Sequence, residues 1–215
     1  MADLIIKPSS GNSLVFQDEG GDAALTVGTT GVSTIANATI TTGTITAATF
    51  PAGHILQVVS GTAAGVMSTT STTHPGSSSG LQVVITPASA SNKIFIKVDL
   101  GIVTQSVGTG GTVGLSLYST LTSGLIGEGT ASGNRKGVNS RVAANWNADG
   151  NHGWGTGFSY LDSPSSWSSG AITYKVYIWA QGGTAYINRT DSDTNVVDSY
   201  GARTSSTITA MEVQG

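Results

Sequence analysis

Catalysis would have to be built from very few side chains in this sequence. The 215 residues include three histidines, twelve Asp or Glu residues and no cysteine. Without cysteine, disulfide bonds, zinc–thiolate sites and a cysteine nucleophile are excluded. His54, His74 and His152 lie in or beside loops, and no pairing of a histidine with a serine and a carboxylate is singled out. The sequence therefore predicts a protein that is not an enzyme and that uses no cofactor.

One acidic segment has part of the spacing of a calcium loop. Asp191, Asp193 and Asn195 form a D-x-D-x-N pattern, which presents oxygen ligands on one side of a tight turn. The glycine expected next is Val196, and the Glu expected at the end of the loop is Ala202. Because the match is partial, a solvated hairpin loop is the favoured interpretation, with calcium binding as the weaker alternative.

Aromatic side chains beside a polar loop suggest a second kind of chemistry. Trp146 and Trp154 flank residues 147–153, a segment that contains His152. A tryptophan ring can stack on the apolar face of a sugar, while Asn, Asp and His side chains bind its hydroxyl groups. Trp146, His152 and Trp154 are therefore a candidate glycan-binding group. The favoured alternative places both tryptophans in the core, at the ends of strands.

Charged residues are sparse and do not cluster strongly. Nine Lys or Arg residues against twelve Asp or Glu residues give a formal net charge of -3. Arg135, Lys136 and Arg141 form the only basic cluster of the sequence, and it is too small for a nucleic-acid-binding surface. No apolar run approaches the roughly 18 residues of a membrane span. We therefore expect neither a nucleic-acid partner nor membrane insertion.

Residues 54–215 must position these side chains, and they read as a series of strands. The strand candidates are 54–59, 81–86, 93–103, 112–118, 137–146, 155–161, 172–180, 184–189 and 206–213. Gly182 and Gly183 lie between two of them and predict a two-residue hairpin. Short strands with regularly spaced turns predict an all-β fold, a β-sandwich of jelly-roll type.

A five-residue repeat occupies the segment 32–53. Its large apolar residues each follow a threonine; they are Ile35, Ile40, Ile45 and Phe50. A period of five fits neither an α-helix nor a flat strand, and one large apolar side chain in five cannot form a core within one chain. Identical chains wound around a shared axis would bury this row. One coil of a pentapeptide solenoid and a flexible linker are the alternatives.

Residues 1–31 are too small to form a stable core alone. Two strand-like runs, 4–6 and 13–16, flank a turn at 9–12, and an acidic loop follows at 18–22. A two-stranded hairpin is marginally stable at best in water, so we expect this segment to dock onto a partner. The first residues lack the basic and apolar regions of a signal peptide, so we expect synthesis in a cytoplasm, which the protein can leave inside a particle.

Several segments of the strand-rich region resemble fibre-like virion proteins of marine tailed phages, including cyanophages. These segments are FPAGHILQVV (50–59), LQVVITP (81–87), SNKI (91–94), SYLD (159–162), AYINR (185–189) and STITAMEV (206–213). The repeat before them is similar to the Thr/Ile-rich stems of such proteins. The resemblance implies a homotrimer in which three chains form a stem that carries β-sandwich heads. The shared segments are framework motifs, so the resemblance transfers no binding residue.

The residues and the resemblance together predict a short fibre of a phage virion, either a tail fibre or a capsid fibre. Residues 1–31 would anchor it to other virion proteins, residues 32–53 would form the trimeric stem, and residues 54–215 would form the head. The expected role of the head is adhesion to a glycan on the host surface. Because the stem is short, a head decoration or cement protein without a receptor role is the first alternative. A soluble carbohydrate-binding module is the second.

Overall fold

The described part of the chain is built from strands alone. The computed structural model describes the backbone of residues 14–17, 23–27 and 33–34, and residues 51–106, 111–143, 153–195 and 201–215 in full. The chain divides into two compact units, Met1–Thr49 and Phe50–Gly215. Within the described residues, no helix is long and apolar enough to cross a membrane.

The first unit contains a small antiparallel sheet of three strands. They are β1 (Leu14–Gln17), β2 (Ala23–Val27) and β3 (Ser33–Thr34), in the order β1-β2-β3. The sequence predicts only the first of them, and the run at 4–6, predicted to be its neighbour, lies outside the described residues. Thr34, the first threonine of the repeat, pairs with Thr26 of β2. The repeat therefore begins inside this sheet.

The second unit, which we call the head, contains a five-stranded antiparallel sheet. Its strands are β6 (Ser77–Ile85), β8 (Thr112–Ser119), β9 (Gly124–Ile126), β10 (Ser140–Ala143) and β12 (Ile172–Ala180). The order is β10-β8-β12-β6, and β9 pairs with β8. Leu115 of β8 pairs with Ser140 on one side and with Ile178 on the other, so β8 is a central strand.

A six-stranded antiparallel sheet forms the other half of the head. Its strands are β4 (Ile55–Ala63), β5 (Met67–Thr69), β7 (Lys93–Gln105), β11 (Trp154–Asp162), β13 (Ala185–Ile187) and β14 (Ser206–Val213). The order is β4-β14-β7-β13-β5, and β11 pairs with β7. Val98 of β7 pairs with both Phe158 of β11 and Ile208 of β14, so these strands flank β7 on opposite sides.

One hydrophobic core joins the two sheets, which gives the head a β-sandwich-like fold. Strand β7 alternates between buried Ile94, Ile96 and Val98 and exposed Lys93 and Lys97, because successive side chains of a strand point to opposite faces. Both sheets contribute fully buried side chains to this core, among them Leu81, Leu117, Ile172, Ile178, Ile187 and Ile208. Each such side chain stabilises the fold by about 1.5–3 kcal/mol relative to exposure.

The predicted strands agree with the observed ones where alternation is regular. The bounds of β12 and β14 match the predicted 172–180 and 206–213. Two strands of three residues each, β5 and β9, were not predicted, because three residues are too few to establish a period. Of the candidate at 137–146, residues 140–143 form β10 and residues 137–139 precede it, while residues 144–146 lie outside the described residues.

The predicted hairpin at Gly182 and Gly183 is wrong. Strand β12 pairs with β6 and β8, whereas β13 pairs with β5 and β7 of the other sheet. Both hydrogen-bonding edges of β12 are therefore occupied, and β13 cannot add to it. The glycines instead carry the chain from one sheet to the other, and Gly183 adopts a positive φ of 59° in this crossing.

Candidate functional site

The structure describes only one residue, Trp154, of the predicted glycan-binding group. Trp154 begins β11 with 52% of its surface exposed, so it does not belong to the core as the alternative interpretation expects. Trp146 and His152 lie outside the described residues, and a site shared by the three residues stays a prediction. The expected stem core is also outside the described residues; its members are Ile35, Ile40, Ile45 and Phe50.

Two arginines from outside the predicted calcium loop pack against its Asp193. Arg203 donates through Nε and Nη2 to the two carboxylate oxygens of Asp193, at 2.7 and 2.5 Å. Arg189 Nη1 lies 3.3 Å from Asp193 Oδ2, and its guanidinium lies 4.1 Å from the centre of the Tyr186 ring. We call Arg189, Arg203 and Asp193 the arginine clamp. Its carboxylate already faces two positive charges, which compete with any added cation.

Neighbouring groups complete the surroundings of the clamp. Arg189 also donates to the backbone carbonyl oxygens of Thr190 and Asp191. Burial raises the pKa of the Asp191 carboxyl above its ordinary value, and the charge of Arg189 offsets this effect only partly. Within the described residues, no group of three or more His, Asp or Glu side chains is arranged to hold a metal ion. Calcium binding by Asp191, Asp193 and Asn195 stays an untested prediction.

A pocket on the outer side of the five-stranded sheet brings together the basic cluster of the sequence. Its volume is about 490 Å³, which lies in the range of pockets that hold small ligands. The side chains that matter for its chemistry are Arg135, Lys136, Arg141, Trp179, Asn134 and Gln181. We call it the cationic pocket. The loop between β9 and β10 supplies its first two basic residues, while Arg141 and Trp179 come from strands.

Strand register places Arg141 and Trp179 in one row across the sheet. Arg141 of β10 and Trp179 of β12 both pair with Gly114 of β8, from opposite sides. A Cβ atom on residue 114 would lie 1.9 Å from Trp179 Nε1, so only glycine leaves room for the indole at this place. The aromatic wall of the pocket therefore depends on the absence of a side chain in the middle of β8.

The indole of Trp179 is held by a second contact. The His74 ring meets it edge to face, with ring centres 6.4 Å apart and an interplanar angle of 89°. The Trp179 Nε1 donor is buried and has no hydrogen-bond partner within the described part of the chain. An unsatisfied buried donor costs about 1–3 kcal/mol. The ring is thus fixed by shape rather than by a hydrogen bond of its own.

A polar cluster of Glu128, His74 and Ser116 covers the outer face of β8, so this strand is buried on both faces. Glu128 Oε1 accepts a hydrogen bond from Ser116 Oγ at 2.6 Å and lies 2.9 Å from His74 Nε2. Ser116 is fully buried, and the side chains of His74 and Glu128 are 17% and 19% exposed. Since the serine donates to the carboxylate and not to the histidine, His74 is not placed to remove its proton. The three groups do not form a Ser-His-Glu triad.

A serine motif near His74 also fails to form a nucleophile site. Residues 76–80, GSSSG, match the letters G-x-S-x-G, a pattern that in hydrolases holds serine on a turn from a strand to a helix. Here Ser78 lies within β6, which continues to Ile85, and its Oγ accepts a hydrogen bond from Gly80 N. The strained turn that exposes such a serine is not present at this place.

The charge of the cationic pocket has no counterpart among the described residues. Arg135, Lys136 and Arg141 are all exposed, and none lies within ion-pair distance of a described carboxylate. Arg135 donates to the carbonyl and hydroxyl oxygens of Ser132, at 3.3 and 3.5 Å, which holds its guanidinium against the loop. Such a group of exposed cations creates a local positive potential that attracts anions.

The sequence identifies the basic cluster but not its aromatic neighbour. Trp179 is predicted as a core or interface residue because it alternates with Tyr177, and it is half-buried at the pocket wall. Only the register with Gly114 brings it beside Arg141. A glycine within an otherwise regular strand pattern is the one local signal of such a close approach.

The chain matches no protein-family model and no curated protein.

Proposed function

We propose that the chain is a short fibre of a phage virion, a homotrimer whose heads bind a glycan on the host surface. The observation that carries the proposal is the contrast between a repeat that cannot bury its own apolar row and a head with a complete core of its own. Three chains around one axis bury such a row. The resemblance of the strand segments to phage fibre proteins supports the same assignment.

The strand that follows the repeat offers apolar surface to a second copy. Ile55 and Val58 of β4 are 57% and 55% exposed. Val58 pairs with Met211 of β14, which pairs in turn with Phe95 of β7. Phe95 pairs with Leu161 of β11, which is 46% exposed. Single exposed apolar residues are common, but neighbouring ones favour an interface. Three heads held by one stem would cover this surface.

Adhesion is supported by the cationic pocket, which lies in the head and faces solvent. A pocket of this kind binds weakly when it acts alone. Three copies on one stem raise the effective concentration of sites, and their combined affinity can exceed that of one site by about 100-fold or more. A trimeric fibre therefore suits a ligand that is repeated along a polymer on a cell surface.

The native mass of the purified full-length chain tests the trimer. We expect a mass three times the 21.6 kDa of one chain. Ile40→Asp puts three charges at the axis of the stem and should produce monomers, because unpaired buried charges are strongly unfavourable. Thr42→Asp, in the same repeat but outside the apolar row, is the matched control and should remain trimeric. A monomeric wild-type chain, or a trimeric Ile40→Asp variant, contradicts the shared stem.

Incorporation into particles tests the anchor and separates fibre from decoration protein. Deleting residues 1–30 should leave a folded head that no longer incorporates into the virion. The short repeat, 32–53, is the observation that favours a decoration protein as the second candidate. Copy number distinguishes the two, since tails carry few fibres and capsids carry many decoration sites. Incorporation of the truncated chain would refute the anchor.

A further inference from the structure

We infer that the cationic pocket binds an anionic saccharide, with the carboxylate or sulfate group at Arg135, Lys136 and Arg141 and a sugar ring against Trp179. This inference rests on the proposed function and names the class of its ligand. The sequence pattern predicts glycan binding at a different place, at Trp146, His152 and Trp154. The pocket shares none of these residues.

Uncompensated charge is the first support for an anionic ligand. The pocket gathers three of the nine basic residues of a chain whose net charge is -3. Placing like charges together is unfavourable unless an opposite charge is supplied. In the same head, the carboxylate of Asp193 supplies it to two arginines. No described carboxylate forms an ion pair at the pocket, and an anion from outside would supply the opposite charge.

The geometry of the cations and the ring is the second support. Arginine presents parallel N–H donors that match the oxygens of a carboxylate or a sulfate. The half-buried face of Trp179 is held by Gly114 and His74, and a fixed aromatic face is suited to the C–H groups of a pyranose ring. At the rim, Gln181 Oε1 accepts a hydrogen bond from Thr112 Oγ1 at 2.9 Å, which orients an amide toward sugar hydroxyls.

The same features disfavour a nucleic acid as occupant. Binding to single strands combines a charged groove along the backbone with several aromatic side chains that stack successive bases. Here one indole stands beside three cations in a pocket of about 490 Å³. That space suits one or two sugar units and does not extend as a groove along a polymer backbone.

Calorimetry with the full-length chain and defined oligosaccharides tests the inference. The probes are a uronic acid trisaccharide, a sulfated galactose trisaccharide, a neutral galactose trisaccharide and a single-stranded DNA oligonucleotide. We expect at least one acidic trisaccharide to bind about tenfold or more tightly than the neutral one. Its affinity should fall as salt is raised, because exposed charges are screened. The two acidic probes separate carboxylate from sulfate recognition.

Single substitutions locate the binding. Arg141→Ala and Trp179→Phe should each weaken binding of the acidic probe, by about tenfold for the arginine. Lys175→Ala is the matched control, because Lys175 lies on β12, as Trp179 does, but does not line the pocket. It removes the same charge and should leave the affinity unchanged. Arg141 is exposed, so its loss does not threaten folding, and thermal melting of each variant checks this.

Each outcome has a distinct meaning. Equal binding of neutral and acidic probes, or binding that Arg141→Ala leaves intact, overturns the anionic ligand while the adhesive fibre stands. Stronger binding of the oligonucleotide than of every saccharide also overturns it. No binding by a chain whose native mass is trimeric rejects this pocket and leaves the stem intact. A monomeric chain that still binds the acidic probe rejects the fibre and keeps the pocket.

Discussion

Two groups of arginine side chains in the head stand in opposite electrostatic surroundings. In the arginine clamp, Arg189 and Arg203 converge on the carboxylate of Asp193, and the Arg189 side chain is only 18% exposed. In the cationic pocket, Arg135 and Arg141 are exposed and form no ion pair with a described carboxylate. The clamp holds the segment after β13 against the chain before β14. The pocket, in contrast, presents its positive charges to solvent.

The role of an arginine in this head therefore depends on whether a carboxylate of the fold faces it, because the residue type is the same in both groups. A guanidinium paired within the fold stabilises the fold, and its removal exposes the partner's uncompensated charge. An exposed and unpaired guanidinium contributes little to stability, since surface charges act in high dielectric. Substitutions that affect stability and substitutions that affect binding should therefore fall on different arginines.

The largest expected effect lies at a buried carboxylate that is satisfied without any arginine. Glu212 is fully buried and accepts hydrogen bonds from Gln57 Nε2 and Asn92 Nδ2, both at 2.6 Å, and from Ala88 N at 2.7 Å. Glu212→Gln turns one acceptor into a donor that faces donors and should lower the free energy of unfolding by about 2–3 kcal/mol. Chemical denaturation measures the loss. Asp99→Asn is the control and should change it by less than about 1 kcal/mol, because Asp99 forms an exposed ion pair with Lys97.

The same carboxylate predicts a loss of stability in acid. Burial raises the pKa of Glu212, but hydrogen bonds from Asn92, Gln57 and the backbone of residues 88 and 89 outweigh it, so the pKa lies below the ordinary 4.5. A carboxyl with a lowered pKa stabilises the fold above its unfolded value and loses this contribution as pH falls through the folded one. Stability should therefore drop below about pH 4.5, and less steeply in Glu212→Gln. Parallel slopes for the two proteins would contradict this account.

The next largest effect is a difference in the free energy of unfolding between a clamp variant and a pocket variant. Arg189→Ala removes an ion pair, two hydrogen bonds to carbonyl oxygens and the contact with the Tyr186 ring. It should lower the free energy of unfolding by about 2 kcal/mol. Arg141→Ala should change it by less than about 0.5 kcal/mol. Similar losses for both variants would show that the pocket arginines stabilise the fold as much as the clamp arginines do, which contradicts the proposed difference.

The smallest expected difference in stability is between variants of two tryptophans, one with a hydrogen-bonded indole N–H group and one without. Trp167 Nε1 donates to Gly170 O at 2.8 Å, whereas Trp179 Nε1 has no partner among the described residues. Trp179→Phe removes no hydrogen bond and should cost less stability than Trp167→Phe, by about 1 kcal/mol. Thermal and chemical denaturation of the two variants measure the difference. A larger loss for Trp179→Phe would contradict this order and show that packing of the Trp179 indole outweighs the hydrogen bond of Trp167.

Much of the head could be predicted from the sequence because its strands alternate. The runs at 172–180 and 206–213 were located correctly, since one face of each is apolar and the other polar. Pairing was harder, and the hairpin at Gly182 and Gly183 is wrong. A turn signal in the sequence indicates where a strand ends, but not whether its edge is free to receive the next strand.

The candidate site divides in the same way. The sequence reveals three basic residues close together and leaves their purpose open. It places Asp193 in a loop with calcium-like spacing, where the structure places two arginines against it. In both cases the sequence does not show which charged side chains meet, because charge compensation acts through space.

The sequence by itself determined an all-β chain, the inward face of its long strands and the positions of its loops. These follow from side-chain period and turn residues, which are local properties. Only the tertiary structure decided that Gly114 stands between Arg141 and Trp179, and that Glu128 closes over Ser116. The row of Arg141, Gly114 and Trp179 joins strands that are far apart in the sequence, and only strand register brings these residues side by side.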